Sequence, residues 1–171
     1  MATIHGGDKL QKELAKLAVQ LRNPRTLRVG FLEGATYPTG SRAALRASYR
    51  NRRKKGPIKG QAGGLTVATI AAIQEFGAPS RGIPPRPFFR NMIRAKSGEW
   101  PRAIAALLKA NNYDARRTLM LTGEAIAGQL RQSIVDTNSP PLKPETIRRK
   151  GFAKPLVDTA HMLNSIDYEI K

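Results

Sequence analysis

Apolar positions mark out most of the chain before any chemistry is considered. Leu10, Leu14, Leu17 and Leu21 recur at helical spacing, with Lys9, Lys12, Glu13, Lys16 and Gln20 around the other side. This predicts an amphipathic helix over 8–22, capped by Asp8, stopped by Asn23-Pro24 and packed on the core. In 26–33, Leu27, Val29 and Phe31 alternate with Arg28, Gly30 and Leu32, the period of a strand, which Gly34 and Tyr37-Pro38-Thr39-Gly40 end. Residues 65–76 are apolar throughout. Their β-branched positions permit a strand, but Ala68, Ala71, Ala72 and the following Gly77 favour a helix.

Further on, Pro87 opens a helix to Ala95 whose apolar face is Phe88, Phe89, Met92 and Ile93, and Lys96-Ser97-Gly98 interrupts it. The next helix, 99–110, turns Trp100, Ile104, Leu107 and Leu108 inward and tolerates Pro101 in its first turn. Asp114 caps a longer helix to about Asp136, with a buried stripe of Leu119, Gly123, Ile126, Ala127, Leu130 and Ile134. Gly123 and Ala127 leave room there for a neighbouring backbone. Asp158 or Thr159 caps a short helix to about Asn164, and Ser165–Ile170 is a strand expected to pair with 26–33. The fold class is α+β, a small antiparallel sheet packed against several helices. Two strands alone make a poor sheet, so either 34–64 holds further strands or a neighbouring subunit completes it.

Between the helices of 66–76 and 87–95 lies an elbow, in which Pro84, Pro85 and Pro87 fix φ and remove donors. Its residues alone describe a proline-rich loop that plugs two Phe rings into the core. The string Glu75-Phe76-Gly77, then Ile83-Pro84-Pro85-Arg86-Pro87-Phe88-Phe89-Arg90, also resembles the central signature of the tail-completion (head–tail joining) proteins of tailed bacteriophages. That family usually has a small residue where Pro85 stands, so the elbow here is expected to be stiffer. The two readings are compatible, because a signature can be a packing device.

A second stretch is similar to the C-terminal half of the same family. It runs Pro140-Pro141-Leu142-Lys143-Pro144-Glu145-Thr146-Ile147, Arg149-Lys150-Gly151, Lys154-Pro155-Leu156-Val157-Asp158-Thr159-Ala160, then Leu163-Asn164-Ser165-Ile166-Asp167-Tyr168. The positions that carry it are Pro155, Leu156, Asp158, Thr159, Leu163 and Ser165. Ala160 stands where the family commonly has Gly; if that position takes a positive φ, Ala160 carries strain or adopts another turn. The resemblance covers about half of the chain, with its two parts in the family's order. It implies a structural protein of the virion neck, assembled in the host bacterial cytoplasm. There it would form a ring of identical subunits, hexamer or dodecamer, between the head connector or adaptor and the tail terminator or tail tube. Genomic DNA would pass through. The elbow residues Glu75, Phe76, Gly77, Pro84, Arg86, Pro87 and Phe88 would then present a rigid edge to the adjacent subunit.

Charge changes this picture in one place. Lys and Arg number 30 against 12 acids, a net charge of +18. Within 41–64, Arg42, Arg46, Arg50, Arg52, Arg53, Lys54, Lys55 and Lys59 are not balanced by a single acid. Cations this dense repel one another and disfavour compaction, which predicts a long basic loop or arm. It is either a solvated loop or an arm that touches phosphates or an acidic neighbouring surface. With Tyr49 as its one ring besides Tyr37 at its base, contact with DNA would be electrostatic and independent of sequence. The net charge also allows a different class, a stand-alone basic nucleic-acid-binding protein.

Little else points to chemistry. There is no cysteine, hence no disulfide and no zinc–thiolate site. No apolar run is long enough to span a membrane, and the N-terminus has no signal-peptide core. His5 and His161 are the only histidines, and His161 with Asp158 three residues earlier reads as a surface helix contact. No Walker loop, GxSxG or GxGxxG occurs. The expectation is a non-enzymatic protein without cofactor or metal, a single domain over 1–171.

Overall fold

The expected stripe of the longest helix becomes the axis of the fold. The computed structural model describes residues 7–21, 25–31, 66–157 and 160–171. Its elements are α1 (Gly7–Leu21), β1 (Leu27–Phe31), α2 (Val67–Phe76), α3 (Phe88–Lys96), α4 (Trp100–Ala110), α5 (Ala115–Asp136), α6 (Pro144–Lys150), α7 (His161–Asn164) and β2 (Ile166–Ile170). The class is α+β: β1 and β2 form an antiparallel pair packed on α5, which α3 and α4 also contact. The basic arm lies outside the described residues, as do any strands of 34–64.

Asp114 caps α5 as its position predicts, its Oδ1 accepting the Arg117 N–H at 3.0 Å. Gly123, Ala127, Leu130 and Ile134 are buried along one stripe, joined by Thr118 and Thr122. The pattern misses these threonines because a hydroxyl marks them as polar. The Thr122 hydroxyl is satisfied within the helix, donating to the Thr118 carbonyl at 2.8 Å. The room at Gly123 is taken by a side chain rather than by a backbone. A Cβ there would stand 2.6 Å from the Tyr168 ring and 3.0 Å from Leu27 Cδ1. Only glycine lets the sheet lie this close to the helix.

The strands pair from Leu27↔Ile170 to Phe31↔Ile166, and Thr26 and Lys171 exchange backbone hydrogen bonds of 2.8 and 3.0 Å beyond them. Arg28 and Glu169 face each other and form an exposed pair at 3.5 Å, which adds little stability. The core gathers Val67 and Ala71 of α2, Phe88 and Met92 of α3, the α5 stripe, Leu156, Met162 and Ile166. On α3, Ile93 turns outward and Phe89 is half-buried, so the apolar face is narrower than expected. The inner residues of α4 are also only half-buried; among the described elements this helix packs chiefly on α5.

Residues 67–76 are helical. The Thr66 side chain accepts the Thr69 N–H at 3.1 Å, and Gly77 donates to the Ile73 carbonyl at 2.8 Å. The expectation for α1 needs correction: Leu14, on its leucine stripe, is 55% exposed. No described element covers the helix at that point. His161 also departs from its reading as a surface contact. It is buried with Met162, because the single turn of α7 is covered from more than one side. Asp158 and Thr159 lie outside the described residues, and the position that caps α7 is Ala160. No helix among the described residues is long and apolar enough to cross a membrane.

Candidate interface site: the elbow and its basic cleft

Gly77 leaves α2 at φ 79° and ψ 174°, a region that only glycine enters without strain. Space imposes the same choice: a Cβ would come within 2.8 Å of Pro85 N and 2.9 Å of Ile83 O. The chain then makes a short 3-10 turn at Pro79–Arg81, closed by Gly82 in the left-handed region and by a bridge between Ala78 and Ile83. Pro84 and Pro85 follow outside any helix or strand, and Arg86 N–H donates to the Gln74 carbonyl at 2.7 Å, so the elbow folds back on the end of α2. Pro87 sits one residue outside α3, as its cap, rather than opening the helix from within.

Proline has no side-chain acceptor, so the first N–H groups of α3 need a partner from elsewhere. Glu75 supplies it. Its Oε2 accepts from Phe89 N at 2.9 Å, and its Oε1 accepts from Arg90 N at 3.1 Å and Arg90 Nε at 2.8 Å. Glu75 is buried, and its charge is matched by the positive end of α3 and by Arg90. The Arg90 guanidinium also lies 4.9 Å from the centre of the Phe76 ring, which is itself 64% exposed. Phe88 is fully buried, edge-on to Phe31 at 6.3 Å, and its carbonyl accepts from Ser133 Oγ at 2.7 Å. Glu75, Arg86 and Phe88 thus turn inward and Phe76 outward.

Arg86 joins the two signature stretches. It is buried, and its Nε donates to the Pro140 carbonyl at 3.0 Å, Nη2 to the Pro141 carbonyl at 3.5 Å and Nη1 to Gln74 Oε1 at 3.4 Å. All three acceptors are neutral. Burial pulls the guanidinium pKa below its ordinary value, which still leaves it charged at neutral pH. Where the elbow meets the 141–155 segment, a cleft of about 1150 Å³ opens. Its walls include Pro79, Ile83, Pro84, Pro85, Pro141, Leu142 and Pro155. Arg81, Arg86, Lys143, Arg149 and Lys150 line it, and no acid does among the described residues.

Of the C-terminal motif, Pro155 lines this cleft. Pro144 starts α6 and Gly151 ends it at φ 83°, the Lys-Gly end that the sequence shows. Lys150 is buried, donates from Nζ to the carbonyls of Lys154 (2.7 Å) and Pro155 (3.3 Å), and lies 4.9 Å from the Phe152 ring centre. Leu156 enters the core, Leu163 packs against it, and Ser165 Oγ donates to the His161 carbonyl at 2.8 Å. Ala160 takes the strained alternative, at φ 57° and ψ 12°. Arg131, which the sequence reading passed over, ties this tail to α5 by donating to the carbonyls of Leu163 (3.3 Å) and Ile166 (2.6 Å). Arg42, Arg46, Arg50, Arg52, Arg53, Lys54, Lys55 and Lys59 lie outside the described residues.

Among the described residues no group of three or more His, Asp or Glu side chains is placed to hold a metal ion. No protein-family model, curated protein or solved structure matches the chain.

Proposed function

We propose that this chain is a structural protein of the head–tail interface of a tailed bacteriophage, one subunit of a ring that joins or completes the tail and lets DNA pass. One observation carries the reading. The two stretches that resemble the tail-completion family meet in space, with Arg86 of the first bonded to the carbonyls of Pro140 and Pro141 of the second. Two chance matches would have no reason to build one unit. Among the described residues the sheet has two strands and Leu14 of an amphipathic helix is exposed, which is further support, since a neighbouring subunit could complete both. Rings of this kind use head-to-tail interfaces that close by rotation.

The test is light scattering on the purified protein, alone and then with purified head connectors. A ring, or a stable addition to the connector, is expected. Reversing the charge of Arg52, Arg53, Lys54 and Lys55 is expected to impair joining while the subunit still folds.

The net charge of +18 favours one other reading, a stand-alone nucleic-acid-binding protein. A monomer that ignores connectors and holds duplex DNA with a steep salt dependence would replace the neck reading with this one.

A further inference from the structure

We infer that the cleft between the elbow and the 141–155 segment is a docking site for an extended acidic segment of another protein, one in which carboxylates alternate with apolar side chains. Charge is the first reason. Arg81 and Lys143 are exposed on the cleft and make no ion pair with a described residue, while Arg86 is buried beneath them on neutral acceptors only. At Arg81, Arg86 and Lys143 no carboxylate of a described residue offsets the positive charge, and on a concave surface such charge attracts carboxylates more strongly than the same cations spread over an open face.

The walls select the kind of acid. Proline has no N–H to offer, and the N–H groups of Arg81, Gly82, Ile83 and Arg86 are already bonded within the elbow, so this side of the cleft does not cradle a phosphate with backbone donors as anion-binding loops do. Pro79, Ile83, Pro84, Pro141 and Leu142 instead supply apolar surface for side chains. Duplex DNA is held by cations arrayed along an accessible surface, and here they sit on a proline-walled hollow. The hollow is also built to keep its shape. Gly77, Gly82, the prolines and the Arg86 cross-tie fix its sides before any partner arrives, which lowers the cost of binding. This inference does not rest on the neck reading, because it concerns a single copy of the chain.

The probe is a fluorescently labelled octapeptide of alternating Glu and Leu, read by anisotropy on the full chain at about 0.1 M salt. The variant R81E/K143E is expected to weaken binding about tenfold or more. The variant R102E/K109E makes the same change of net charge on exposed positions of α4 and is expected to alter binding less than about twofold. Equal weakening by the two variants would reduce the effect to the field of the whole chain and overturn the proposal. So would absence of binding, or a short duplex DNA that binds more tightly than the peptide and responds to R81E/K143E in the same way. Thermal melting of each variant reports whether it is folded, and R81Q/K143Q replaces the reversal if it is not. A monomeric chain that ignores connectors and binds the peptide would sink the neck reading alone; a ring that ignores the peptide would sink this one alone.

Discussion

The elbow after α2 and the turn before α7 both steer the chain into a helix, by opposite means. In the elbow each unusual backbone position is held by a residue suited to it. Gly77 and Gly82 take the positive φ angles, Pro79 starts the 3-10 turn, and Glu75 caps α3 from across the loop. Before α7, a positive φ falls on Ala160, and the cap position offers no side-chain acceptor. That turn is held from outside, by the buried Leu156, His161 and Met162 and by Arg131 reaching to the carbonyls of Leu163 and Ile166. A loop can therefore be fixed by its own residues or by its surroundings, and substitutions should tell the two apart.

The largest effect is expected at Gly77. Alanine there meets both a forbidden backbone region and backbone atoms under 3 Å away, so Gly77→Ala should cost about 3 kcal/mol or more in urea unfolding. A near-neutral result would mean that the elbow is not self-determined. Next comes Glu75→Gln, which keeps the shape but removes the charge and leaves one acceptor for two N–H groups of α3. The expected loss is about 1–3 kcal/mol, and Arg90→Ala, which spares the backbone bonds, should cost less. If the two cost the same, the ion pair rather than the cap is what matters. The smallest effect has the opposite sign. Ala160→Gly relieves the left-handed strain and should stabilise by roughly 0.5–1 kcal/mol after the greater freedom of glycine in the unfolded chain is counted. A melting temperature higher by a few degrees would bear this out; a lower one would show that the turn is not strained.

The same contrast explains what could be read from the sequence. Local punctuation was legible: Gly77, Asp114, Pro144 and the Lys150-Gly151 end each sit where their chemistry predicts. The pairing of 26–33 with the last strand was legible because no other strand stood out. The role of Glu75 was not, since the N–H groups it caps lie more than a dozen residues onward and the intervening turn hides the relation. The cleft was invisible for a related reason, being made by two segments far apart in the sequence that the Arg86 cross-tie joins. His161 was misjudged because a one-turn helix has no period to show which of its sides is covered. Leu14 was misjudged because the leucine stripe states that a face is apolar without stating which molecule covers it.

The order of the two strands has a consequence for how the protein is made. β1 (Leu27–Phe31) is synthesised well before β2 (Ile166–Ile170), yet neither has any other described strand to pair with. At about 5–20 residues per second, on the order of ten seconds pass between them on the ribosome. Through that interval Val29 and Phe31 lack the described strand that pairs with them, and an unpaired edge is the kind of segment that seeks other chains. Helices α3 to α5 form from near neighbours and can be waiting when β2 arrives. The nascent chain carries its own protection meanwhile: with far more cations than acids, copies at this stage repel each other. The same excess charge that invites a partner to the finished protein keeps unfinished copies apart.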